Sequence, residues 1–108
     1  MAELVDLSAD RQARLARYVL KIMFYIYAIA SVEKNYIYVG LTKNVDDRVL
    51  RHNMGRERTT RAYRPFELIF EESVDGSRSE ARKREKYWKS GVGKEQLRKI
   101  RDKHRLSS

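Results

Sequence analysis

Two runs rich in β-branched and aromatic residues, Lys21–Ala30 and Tyr36–Leu41, stand either side of the short polar stretch Ser31–Asn35. Such a spacing predicts a β-hairpin. A two-stranded ribbon is marginal in water by itself, so the remaining residues must supply a third strand or helices to cover it. With 108 residues in all, one domain is expected to do this.

The other elements follow from local signals. Ser8 can cap a helix over residues 9–20, whose Ala13, Ala16 and Leu20 share one stripe beside Val19. Asn44 reads as the cap of a short helix with Asp46 and Asp47 at its positive end, closed by a left-handed Gly55. Residues 56–64 form an arginine-rich loop. Pro65 precedes a strand, Phe66–Ser73, in which Phe66, Leu68 and Phe70 alternate with Glu67 and Ile69. Asp75-Gly76 is a turn, and Ser77–Glu80 has the form of a capping box opening a helix to about Ser90. Lys94–Lys103 reads as one more short helix. The expected fold is α+β: a small three-stranded antiparallel sheet flanked by helices, with an extra N-terminal helix. Residues 1–21 form that extension and 22–103 the domain proper.

Composition removes several function classes. There are no cysteines and two histidines, His52 and His104, which excludes disulfides, thiol nucleophiles and cysteine or multi-histidine metal cages. The longest apolar run, Ile22–Ala30, is too short to span a bilayer, which takes about 20 residues. The acidic start MAELVD is unlike a signal peptide, so a cytoplasmic protein is expected. The net charge of +9 points to a polyanion, and no lysine-rich face is paired with a broad apolar one, which favours nucleic acid over a membrane. Residues 43–64 hold seven basic and three acidic residues, and residues 77–108 hold twelve and four. The remainder of the chain is net acidic. Arginines at 56, 58, 61 and 64, mixed with Thr59, Thr60 and Tyr63, suit phosphate contacts.

Three clusters could carry chemistry. Tyr25 and Tyr27 share one strand face, and Tyr36 and Tyr38 share another. Arg48 and His52 are four apart on the stripe of Val45 and Val49. Ala81, Glu85 and Trp88 fall at helical spacing, so Glu85 sits in an apolar stripe and needs a partner. Arg82, Arg84, Lys89 or a metal ion would each serve.

In order and spacing, Tyr25-Ile26-Tyr27 and Tyr38-Val39-Gly40, the helix DDRVLRHN, the strand RPFELIFEES and the helix SEARKREKYWKSG resemble the GIY-YIG nuclease family, and the resemblance covers residues 22–100. It implies a metal-dependent endonuclease hydrolysing DNA. Glu85 would hold Mg²⁺, with Mn²⁺ as substitute. Arg48 would neutralise phosphoryl charge, and Tyr38 would orient water or phosphate. Either Tyr27 or His52 would be the general base, and Gly40 would allow a close approach. Lys43, Arg51, Arg56, Arg58, Arg61, Arg64 and Lys89 would line the DNA backbone. With no accompanying reader of base sequence, selectivity is expected for strand form, flaps or branches. Two positions depart from the family. Tyr25 replaces a glycine, and no asparagine follows Asn53, leaving the backbone or Gln96 to replace the asparagine many members carry. The N-terminal extension, with Leu4, Val5, Leu7 and Leu15, offers a surface for a second copy or a partner protein, or a helix closing the domain's own core.

Overall fold

The computed structural model describes residues 23–107. The helix expected over 9–20, the extension 1–21 and the first two residues of the expected strand Lys21–Ala30 lie outside them. The hairpin forms as strands β1 (Phe24–Ser31) and β2 (Ile37–Thr42), and β3 (Phe66–Val74) adds on the other side of β1. Both pairings are antiparallel, in the order β2-β1-β3. β1 is thus the central strand, and its residues Ile26–Ser31 are buried.

Register decides what shares a face. Tyr27 lies opposite Gly40, Ile29 opposite Tyr38 and Tyr25 opposite Thr42, so the tyrosine faces of the two strands coincide. This face packs with Val45, Val49 and Phe66. The other face carries Ile26, Ala28, Ala30 and Val39 against Ala81, Trp88 and Leu97.

The expected alternation in β3 is broken. The pairing with β1 shifts between Ala28 and Ile29. Phe66 and Leu68 pack with the tyrosine face, but Ile69 and Phe70 pack with the other. A bulge inserts one residue and reverses the side on which all later side chains fall. Glu71 is therefore placed directly opposite Tyr27.

Helix α1 (Val45–Asn53) is capped by Asn44, whose side chain accepts from the Asp47 amide, and Gly55 follows it at φ 75°. A short 3-10 turn, Arg61–Tyr63, interrupts the arginine-rich loop. Helix α2 (Arg78–Lys89) is capped by Ser77, which accepts from the Glu80 amide. The reciprocal half of the capping box does not form, because the Glu80 carboxylate pairs with Lys83 at 3.3 Å. Helix α3 (Gly91–Leu106) is longer than the expected Lys94–Lys103 and begins at once after α2, with Ser90 closing one helix and capping the next. The two helices meet closely: a Cβ on Gly93 would fall 2.3 Å from the Tyr87 carbonyl oxygen.

α3 also holds the hairpin. Arg101 donates to the Asn35 side chain at 2.7 Å, Arg105 donates to the Ser31 carbonyl at 2.7 Å, and Lys94 donates to the Ile37 carbonyl. Some of the charge counted as a nucleic-acid rim is thus spent on the protein's own carbonyls and amides. Among the described residues no helix is long and apolar enough to cross a membrane.

Candidate active site

On the tyrosine face, β1, β2 and α1 bring Tyr27, Tyr38, Arg48 and His52 together. Tyr27 and His52 are almost wholly buried. The Tyr27 hydroxyl lies 2.8 Å from His52 Nε2. The Tyr38 ring centroid is 4.9 Å from that of His52 and 6.3 Å from that of Tyr27. The other imidazole nitrogen, His52 Nδ1, lies 2.7 Å from the Thr60 hydroxyl. Thr60, one of the hydroxyls expected to suit phosphate contacts, is completely buried. It stands eight residues after His52, and nothing in a polar loop sequence distinguishes it from Thr59, which is exposed.

Gly40 explains how the tyrosine fits. A Cβ there would sit 2.5 Å from both Cζ and the hydroxyl oxygen of Tyr27, so the tyrosine ring occupies the space that any side chain would need. What approaches closely is a neighbouring side chain. Gly40→Ala is therefore expected to destabilise the fold by about 1–3 kcal/mol through overpacking, read as a lower denaturation midpoint with an unchanged m-value.

Burial pushes the Tyr27 hydroxyl up to about 12, against the pull of Arg48 beside it. Burial pulls the His52 imidazole down; Arg48 and Arg51 act in the same direction and Glu57 opposes them. His52 is neutral at neutral pH. The unfolded chain takes a proton at this histidine near its ordinary 6.5, and the folded chain resists it. The contribution to stability is thus complete above about pH 6.5 and is lost as pH falls below it. Thermal melts from pH 7 to pH 5 should show a falling Tm, with a smaller fall in His52→Gln than in the parent.

Arg48 is half-buried, and its Nε is buried without a hydrogen-bond partner among the described residues. Glu57, an acid within the basic loop, holds Arg51 at 3.1 Å and lies 3.7 Å from the Arg48 guanidinium. Lys43, Arg51, Arg56, Arg58, Arg61, Arg64 and Lys89 are all exposed. Arg61 also donates to the Gly55 carbonyl at 2.9 Å. A cavity of about 340 Å³ opens on the same face over Tyr25, between Lys43, Asn44, Asp46 and Glu71. Its two carboxylates make it a poor seat for phosphate, and none of the four clustered residues lines it.

The structure does not bring Glu85 into contact with this cluster. Glu85 lies in the stripe of Ala81 and Trp88 on α2, buried as its spacing implied. Its carboxylate oxygens pair with Arg82 at 2.8 Å and Lys89 at 3.2 Å. Arg84 turns instead to Glu72, which also accepts from the Trp88 indole at 2.8 Å. Gln96 donates to the Tyr87 hydroxyl at 2.7 Å, away from Tyr27.

A family model described as the GIY-YIG catalytic domain matches residues 23–99. This chain belongs to the GIY-YIG family. It is 34% identical over 80 residues to a UPF0213 protein of Staphylococcus haemolyticus, across 73% of this chain and 95% of that one. It is 37% identical over 62 residues to a UPF0213 protein of Staphylococcus saprophyticus, across 56% of this chain and 73% of the relative. The solution structure of a UPF0213 protein from Bacillus halodurans is also similar, at 30% identity and a TM-score of 0.44, covering 73% of this chain and 85% of that one. The likeness is to small, stand-alone members of the GIY-YIG family.

The divalent cation implied by the GIY-YIG family fits Glu85 chemically. Among the described residues no three histidine or acidic side chains gather into a cage. A lone carboxylate suits an ion such as Mg²⁺, which keeps several waters and takes one or two carboxylates. The Glu85 side chain is 10% exposed, while those of Arg82 and Lys89 are 56% and 50% exposed. Both present partners can therefore swing into water and leave the carboxylate to an incoming cation.

Proposed function

We propose that this chain is a divalent-metal-dependent endonuclease that hydrolyses DNA phosphodiester bonds, selecting strand form, flaps or branches with weak sequence preference. The observation that carries this reading is the Tyr27 hydroxyl, buried on His52 and beside the half-buried Arg48. Arg48, whose side chain is 32% exposed, can donate to a phosphoryl oxygen and offset the charge that grows there as water attacks phosphorus. Tyr27, once it has lost its proton, can take one from the attacking water. Tyr38, half-buried over His52, can orient the water or the phosphate. The P–O3′ bond breaks as the new P–O bond forms, and the departing 3′ oxygen takes a proton from solvent. A divalent cation held by Glu85 would supply Lewis-acid charge to phosphate oxygens. The exposed arginines of the loop and Lys43 would hold the backbone on either side.

A second reading, a nucleic-acid-binding module without catalysis, is favoured by one observation: Glu85 is paired within its own helix, apart from the tyrosines. Purified protein incubated with single-stranded, duplex, flapped and branched DNA separates the two. Cleavage with Mg²⁺ or Mn²⁺ that stops with chelator supports the nuclease. Tight, salt-sensitive binding without cleavage on every DNA form would transfer the conclusion to the binding module.

A further inference from the structure

Thr60, His52 and Tyr27 form one buried chain of hydrogen bonds, and its protons can be counted. The Thr60 hydroxyl, the neutral imidazole and the Tyr27 hydroxyl carry one exchangeable proton each. Two contacts join them, Thr60 Oγ1 to His52 Nδ1 at 2.7 Å and His52 Nε2 to the Tyr27 oxygen at 2.8 Å. Three protons and two hydrogen bonds leave one proton over. If His52 carries its hydrogen on Nδ1, the surplus belongs to Thr60, which has no other side-chain partner among the described residues and is completely buried. A buried hydroxyl hydrogen without an acceptor is costly. If His52 carries its hydrogen on Nε2, the surplus belongs to Tyr27, which is just as buried but is the group from which the nuclease reading removes a proton. The arrangement closes, with each donor matched to an acceptor, only when Tyr27 is the anion.

We propose that Thr60 is a positioning residue: its hydroxyl donates to His52 Nδ1 and holds the imidazole as the Nε2–H tautomer, so that His52 stabilises a Tyr27 phenolate whose proton passes to solvent and not to the imidazole. The inference rests on the reading of Tyr27 as the base. Arg48 strengthens it, since a guanidinium can only donate and it acts on the same oxygen. The Thr60 backbone is fixed as well, its amide donating to the Glu57 carbonyl at 3.2 Å and its carbonyl accepting from the Tyr63 amide at 2.9 Å. The same threonine therefore ties the arginine-rich loop to the reacting tyrosine. The other charged or titratable groups around Tyr27 are Tyr38 on β2, Glu57 in the loop and Glu71 across the strand pair on β3.

The test is the tautomer itself. With two histidines in the chain, and His104→Ala to assign them, nitrogen-15 spectra of the imidazoles at neutral pH report which nitrogen of His52 is protonated. The Nε2–H form is expected in the parent and in Thr60→Ser. An Nδ1–H parent overturns the proposal, whether or not any Thr60 variant folds. In cleavage assays Thr60→Val should lower kcat about tenfold with KM little changed, move the ascending limb of the pH profile to higher pH, and be rescued by Thr60→Ser. A Thr60→Val protein with unaltered tautomer, kcat and pH profile also overturns it. A parent that cleaves no DNA but shows the Nε2–H form removes the nuclease reading and leaves the Thr60–His52 hold standing.

Discussion

Replacing Tyr27 by phenylalanine is expected to lower kcat for DNA cleavage by about a thousandfold, the range spanned by loss of a general base, with the fold intact. The ring that fills the space over Gly40 remains, so packing is kept. The hydroxyl alone is lost, and with it the hydrogen-bond partner of His52 Nε2. Because burial holds this hydroxyl up to about 12, the parent enzyme's rate should climb with pH through the neutral and mildly alkaline range. That climb should be absent from the residual activity of Tyr27→Phe. A substituted protein with full activity and the same pH profile removes Tyr27 from the chemistry, and a profile that still rises from a lower base assigns the titration to another group.

Glu85→Gln should have the other large effect. Cleavage is expected to fall by about a hundredfold or more, as for loss of a principal electrostatic group, and raising the metal concentration should restore little. Stability should change by less than about 1 kcal/mol, because the cations left behind, Arg82 and Lys89, are half in water and are not stranded in the core. Isothermal titration with Mn²⁺ supplies a readout independent of turnover: binding in the parent with DNA present, and its loss in the variant. Metal-dependent cutting at parental rates by Glu85→Gln would falsify the placement of the ion at Glu85.

Much of the fold is legible in the sequence because it follows from short-range patterns. The hairpin rests on strand-forming residues around a turn, α1 on an asparagine cap and a terminal glycine, and the burial of Glu85 on helical spacing. The bulge in β3 is not legible, since Phe66, Leu68 and Phe70 alternate cleanly and only pairing with β1 shows the slip. The length of α3 is hidden by Gly91 and Gly93, poor helix formers, although Gly93 is needed for the close approach to α2. At the site, Arg48 and His52 are recoverable from their spacing. Thr60 and Glu57 are not, because a buried threonine and a pairing glutamate look like loop residues until the chain folds back on α1. The positive charge misleads in part: Arg101 and Arg105 look like a nucleic-acid rim and are anchors for the hairpin turn.

The slip in β3 gives the strand two reading frames. Upstream of it, even-numbered residues look toward the tyrosines; downstream, odd-numbered ones do. Pairing straight through Ile69, with no bulge, would keep the whole strand in the first frame. Later side chains would then exchange sides, with an acid turned toward the Trp88 core and an apolar residue toward Tyr27. That one inserted residue is what lets a single strand serve an oily floor on one side of the sheet and a charged, water-facing site on the other.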